Sequence, residues 1–370
     1  MANLLSAAAV TLLLSTVLAW TLGSRWWVAE LLANLPVQHA LAFAVLLVAA
    51  AFLRHRWLLL LSVAGLVANL AITAPILLTL QRGEPLPPAE GAPTLDVTFF
   101  NTKYFADEEA TIEHLRGRGD DLVVLALAMQ PWRAYLEAAD LDLHVRAGPG
   151  PTDGEDLEMV ALVRDPEAEV IVHRPTDDPR DAIVEVVLDL DGQPIHVLAT
   201  HPVSPLTAER AAQRDRTLAR LAVRATEQDA PVLVVGDLNA TPWSPQLQAM
   251  ALEAELIDSQ VGFGLQPSYP AARGRLGIAI DHVLHSPELT TVARQLGPSF
   301  GSTTGWCTPG SRRQRQAAPS RCSTEVDDGG ITARLVGRGG SRAGTDPCLH
   351  EARGWRCCGT QRPVRPRRRQ

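Results

Sequence analysis

PVLVVGDLNATPWSP, residues 231–245, carries the pattern that decides the fold. Val232 to Val235 is a run of apolar residues with no polar alternation, as in a strand covered on both faces. The run stops at Gly236-Asp237-Leu238-Asn239, and Pro242 and Pro245 then turn the chain into the start of a helix. Strand, polar turn and helix in that order predict a layered α/β domain. Asp237 and Asn239 fall at a strand end, where such domains gather their ligands.

The same rhythm of short apolar runs extends outward over residues 94–302. Leu95 to Asn101 (LDVTFFN) is a β-like run ending in a polar residue, Asp107 to Arg118 reads as a helix, and Asp121 to Ala128 (DLVVLALA) as a buried strand. Strands are predicted at 157–164, 182–190 and 193–200, and a long helix over about 205–228. Ile278 to His285 (IAIDHVLH) is a further strand with Asp281 inside its apolar run. Asn101, His201, Asp237, Asn239, Asp281 and His282 thus interrupt or end apolar runs. A charge placed there is costly unless it is paired or bound to a metal. Each one alone is better explained as a turn former or a cap on a backbone group; together they weigh differently.

Upstream, the composition belongs to a membrane. Ala2 to Leu22 is 21 residues without a charge, Pro36 to Leu53 is 18 and Trp57 to Leu80 is 24. At the helical rise the first reaches roughly 31 Å, about the hydrocarbon thickness of a bilayer. Three transmembrane helices are therefore expected over residues 1–80. A cleaved signal peptide would carry a basic leader and would not be followed by two more apolar spans. The loop Arg54-His55-Arg56 is the richest in positive charge, so it is expected in the cytoplasm and everything after Leu80 outside it. Residues 81–93, QRGEPLPPAEGAP, read as a Pro-rich tether.

Charge is unevenly spread. Residues 93–302 carry 16 Lys and Arg against 33 Asp and Glu, whereas residues 303–370 carry 14 Arg against 5 acids. The acidic middle, with its single lysine at Lys103, argues against a broad phosphate-tracking surface. All five cysteines lie at or beyond Cys307, which leaves the preceding domain without a disulfide framework.

Taken in order, TFFN at Asn101, LATHP at His201, GDLNATPWSP at 236–245, SYP at 268–270 and IDHVL at 280–284 resemble the endonuclease/exonuclease/phosphatase superfamily, and more narrowly its membrane-anchored bacterial members. The resemblance covers about 94–302. It implies a four-layered α/β sandwich of two mixed sheets flanked by helices and hydrolysis of a phosphate ester dependent on Mg²⁺ (or Mn²⁺); with the loop charges, the expectation is a multi-pass protein of the bacterial inner membrane with this domain on its extracytoplasmic side. By resemblance, Asp237 orients and deprotonates water, Asn239 and His201 donate to phosphate oxygens, Asn101 and Asp237 stand at the metal, and Asp281 orients a second, C-terminal histidine. The substrate is left open between nucleic acid, a lipid headgroup and a small phosphate ester.

Two departures bear on activity. The family's metal-binding glutamate falls on Leu127, and no acid lies between Leu122 and Leu136. The family's closing Ser-Asp-His is replaced after Gly301-Ser302 by Thr303-Thr304-Gly305-Trp306, so Asp281 is expected to lack its histidine. These departures favour an alternative, a catalytically inactive membrane-tethered binding or scaffolding domain. From Thr303 the chain turns rich in Arg, Gly, Pro, Ser and Cys, with six Ile, Leu or Val in 68 positions. It reads as a disordered tail of a shifted reading frame; a basic tail that binds nucleic acid or anionic lipid is the functional alternative.

Overall fold

The computed structural model describes residues 1–83, 91–102, 107–127, 130–147, 159–297 and 331–337. Three long helices open it: α1 (Ala2–Leu22), then after a short helix α2 (Trp27–Ala33), α3 (Pro36–Leu53) and α4 (Arg56–Leu80). α1, α3 and α4 are each long and apolar enough to cross a membrane. Two of their polar groups meet inside the bundle: Asn69 on α4 donates from Nδ2 to Thr16 Oγ1 on α1 at 3.1 Å. Gly65 lets Phe43 of α3 lie against α4, since a Cβ there would stand 2.2 Å from the Phe43 ring. α2 was not foreseen; its seven residues lie between two spans.

Two six-stranded mixed sheets follow. β1 (Leu95–Asn101), β2 (Leu122–Ala126), β3 (His144–Ala147) and β4 (Met159–Val163) belong to the first sheet, with α5 (Glu108–Leu115) and α6 (Gln130–Ala138) beside it. β5 (Glu169–His173), β6 (Ile183–Leu190), β7 (Gln193–Thr200) and β8 (Val232–Asp237) belong to the second, with α7 (Ala208–Thr226) and α8 (Pro245–Glu253) on its outer side. β9 (Ile257–Asp258) and β10 (Asp281–His285) complete the second sheet, β11 (Leu289–Leu296) and β12 (Ile331–Gly337) the first. The orders are β11-β12-β1-β2-β4-β3 and β5-β6-β7-β8-β10-β9. Only β1–β2 and β7–β8 are parallel among the pairings of described strands.

The layering follows from which side chains are apolar. Val97, Phe99 and Val124 of the first sheet pack against Val186, Val197 and Val235 of the second, forming the central core. The opposite face of β2 buries Val123 and Leu125 with Trp132 and Leu136 of α6. The opposite face of β8 buries Val234 with Leu218 and Leu221 of α7 and Leu247 of α8. Helix, sheet, sheet, helix is the four-layered sandwich expected. α7 starts at Ala208 rather than near Pro205 because Thr207 caps it, accepting from Arg210 N–H.

The reading of residues 303–370 as a tail without structure needs correction. Ile331–Gly337 is a strand between β11 and β1, with Leu335 opposite Leu95 and Ile331 opposite Phe99. Ile331, Ala333 and Leu335 are fully buried while Arg334 faces out to Asp96. Period-two alternation over seven residues was hidden by composition averaged over 68. Residues 84–90 of the expected tether (81–93) and the remainder of the tail fall outside the described residues.

Candidate active site

Neighbouring strand ends bring the polar residues together. β1 and β2 run parallel with Asn101 beside Ala126, so Asn101 and Leu127 emerge at one edge of the first sheet. β7 and β8 run parallel in the facing sheet, delivering His201 and Asp237. Gly236 allows this approach: a Cβ there would stand 1.9 Å from the Thr200 carbonyl oxygen. β10 returns antiparallel with Asp281 directly opposite Asp237. Asp237 and Asp281 are both buried.

Asp237 is the hub. Its Oδ2 accepts from Asn101 Nδ2 at 3.0 Å, its Oδ1 accepts from the Asn239 N–H at 3.0 Å, and His201 Nε2 lies 3.7 Å from Oδ2. The Asn239 side chain is mostly committed elsewhere, donating from Nδ2 to Pro202 O at 2.9 Å and accepting from Ser204 Oγ at 3.0 Å. It ties the Asp237 loop to the His201–Ser204 segment, and one amide hydrogen is left for a ligand. Its backbone sits at φ +50°, a left-handed conformation that asparagine tolerates. His282 is structural: Nε2 donates to Ala240 O at 2.8 Å, and Nδ1 lies 3.6 Å from Asp258 Oδ2. Arg294, buried beyond it, donates to Ser259 Oγ and Gln266 Oε1. Burial lowers the Arg294 guanidinium to about 10, against the pull of Asp258 and Asp281.

The loop after Asp237 is held by the N-terminal helices. Arg214 of α7 is wholly buried, donating to Asn239 O at 2.9 Å, to Asp215 Oδ1 at 2.7 Å and to Glu30 Oε2 of α2 at 2.5 Å. Glu30 Oε1 accepts from Ser244 Oγ at 2.9 Å. Asn34, which ends α2, accepts at Oδ1 from both the N–H and the hydroxyl of Thr241 at 2.8 Å. Burial pushes the Glu30 carboxyl above its ordinary range, while Arg214 pulls the other way. Sequence reading missed Glu30, Asn34 and Arg214. The one available signal was an acid in WVAELLA, between two apolar spans.

The cleft above Asp237 has a volume of about 510 Å³. The endonuclease/exonuclease/phosphatase family matches residues 105–320, more than half of the chain. The chain belongs to that family. No curated protein matches it. Among solved structures it is similar to an endonuclease/exonuclease/phosphatase from Beutenbergia cavernae, at 21% identity over 66% of this chain and 72% of that one, TM-score 0.45. A mannosyl-6-phosphatase of Bacteroides thetaiotaomicron is 15% identical over 65% of this chain and 99% of its own, TM-score 0.49. Sphingomyelinase C of Streptomyces griseocarneus is 20% identical over 65% and 99%, TM-score 0.43.

The family's divalent cation can be tested against the residues present. A hard cation takes about six oxygen ligands, several of them anionic. Where the resemblance places a glutamate, Leu127 follows β2 at φ +54°, a backbone conformation unusual for leucine. Among the described residues no three His, Cys, Asp or Glu side chains gather as a metal site. Asn101 Nδ2 donates to Asp237 Oδ2, which takes up one of the two carboxylate oxygens beside it. These residues do not fit a tightly held Mg²⁺ or Mn²⁺.

Proposed function

We propose that this chain is a membrane-anchored phosphoesterase of the endonuclease/exonuclease/phosphatase family, binding a phosphodiester or phosphomonoester over Asp237, with turnover limited by weak Mg²⁺ (or Mn²⁺) binding. The observation that carries this reading is the convergence of Asn101, His201 and Asp237 from facing sheets on one cleft. In it, the Asp237 carboxylate orients a water and accepts its proton, held in place by the amides of Asn101 and Asn239. His201 donates to a non-bridging phosphate oxygen, and Arg210, which also lines the cleft, offsets the phosphate charge. Asp281, opposite Asp237 on β10, is a second buried carboxylate beside it.

Leu127 favours a second reading, a binding or scaffolding domain without turnover. The test is hydrolysis of an aryl phosphodiester and an aryl phosphomonoester by the full chain across a Mg²⁺ and Mn²⁺ titration. Slow, metal-stimulated hydrolysis that Asp237→Ala abolishes is expected. Tight binding of both esters with no hydrolysis at any metal concentration selects the second reading, and activity unaffected by Asp237→Ala rejects the site.

In the membrane, the domain is placed outside the cytoplasm of a bacterial inner membrane. The support is the Arg54-His55-Arg56 loop, which lies at the opposite ends of α3 and α4 from the domain contacts of Gln38 and Leu80.

A further inference from the structure

One wall of the cleft is made by the membrane module. Leu31 and Leu35, from α2 and the turn after it, line the cleft together with Val203 and Leu206 of the His201 segment. The floor is polar, with His201 and Asp237, and Arg210 stands in the lining. Arg210 Nε is buried and has no hydrogen-bond partner among the described residues. A buried guanidinium donor without an acceptor is expensive, and a phosphate oxygen would supply one.

The mouth lies at the ends of the apolar helices. Gln38, in the first turn of α3, donates from Nε2 to Gly277 O at 2.9 Å and Leu276 O at 3.2 Å. Gly262 N–H and Gly264 N–H both donate to Leu80 O, the last residue of α4. Next to these contacts Leu276 is 57% exposed, and at the lip of the cleft Leu206 is 62% and Tyr269 41% exposed. Apolar side chains left uncovered beside helix ends suit a hydrocarbon surface better than water. A nucleic-acid strand is the poorer occupant, because Arg180, the second cation in the lining, is already paired bidentately through Nε and Nη2 with the Asp178 carboxylate at 2.9 and 2.7 Å.

We propose that the cleft draws its ligand from the bilayer: an amphiphilic phosphate ester whose phosphate sits between Arg210 and His201 and whose hydrocarbon chain runs along Leu31, Leu35 and Leu206. This deepens, and rests on, the phosphate-ester reading above. The test uses the full chain in dodecyl maltoside micelles, which bring no phosphate of their own. Phosphatidic acid with a diazirine in its acyl chain is photoactivated, and the labelled residues are mapped by mass spectrometry. Binding of a soluble aryl phosphodiester is measured in parallel.

Labelling is expected on the 31–35 and 203–206 segments. Unlabelled phosphatidic acid should suppress it at least tenfold, equimolar glycerol phosphate should not, and Arg210→Ala or Leu31→Arg should remove it. Competition by glycerol phosphate as strong as that by phosphatidic acid, or labels confined to the outer faces of α1, α3 and α4, overturns the lipid inference while binding of the aryl ester keeps the phosphate-ester reading. Failure of both the lipid and the aryl ester to bind overturns both.

Discussion

Arg214 and Glu30 form a fully buried ion pair, 2.5 Å apart, between α2 of the N-terminal helices and the two-sheet domain. The same guanidinium holds the carbonyl of Asn239, so the loop that follows Asp237 is braced, through Arg214, by a residue of the N-terminal helices. Removing one partner of such a pair strands a charge and costs about 3–5 kcal/mol, whereas removing both is far milder. Glu30→Ala should therefore lower the thermal midpoint of the full chain markedly, and Glu30→Met with Arg214→Met should recover most of the loss. A double-mutant cycle with no coupling would show that this pair does not brace the loop.

The donor set at Asp237 predicts a gain of function. Leu127→Glu should raise Mg²⁺ affinity and phosphodiester hydrolysis by at least tenfold, since it adds a carboxylate where β2 ends. Asp237→Ala in that background should cancel the gain, because members of one catalytic unit act together. Calorimetric Mg²⁺ binding reads the first effect independently of turnover, and unchanged affinity in Leu127→Glu would move the cation elsewhere.

Away from the cleft, Glu185 is buried and accepts from His173 Nε2 at 2.6 Å, His196 Nδ1 at 2.7 Å and Arg224 Nη2 at 2.8 Å. Burial pushes its carboxyl up, but hydrogen bonds from His196, His173 and Arg224 together bring it below the ordinary 4.5. A carboxylate depressed in the folded state stabilises the fold above its unfolded value and loses that stabilisation as pH falls through the folded one. Thermal midpoints measured from pH 6 down to pH 3 should drop more steeply below about 4.5 for the natural chain than for Glu185→Gln. Parallel curves would remove Glu185 from the acid response.

β12 makes the tail testable. Leu335 is fully buried in the central core, so Leu335→Ala should cost about 2–5 kcal/mol. Truncation after Ser302 should unfold the first sheet, since β1 and β11 would both lose their neighbour. An unchanged thermal midpoint on truncation would return residues 303–370 to the status of an appendage, as a shifted reading frame from codon 303 would leave them.

The orientation follows from the loops. A reporter active only outside the cytoplasm should give signal when fused after residue 95 and none when inserted at His55. The reverse pattern would invert the assignment.

The apolar spans were legible in the sequence because a bilayer imposes a local condition, about twenty residues without charge, that needs no knowledge of partners. The strand ends at Asn101, His201 and Asp237 were legible for a similar reason, since a polar residue closing an apolar run marks an edge wherever the run ends up. Their convergence was readable only through resemblance to a family. Tertiary structure alone decided the rest. The Arg214–Glu30 contact joins residues 184 apart, and neither side chain sits in a pattern that announces a partner. β12 lies more than two hundred residues from the β1 strand it pairs with, and a seven-residue alternation is too short to stand out from an Arg-rich background. Asn239 reads in sequence as a ligand donor, but packing of the His201–Ser204 segment claims most of its amide. Hydrogen-bond saturation is set by what lies within about 3 Å in space, and a linear sequence does not contain that distance.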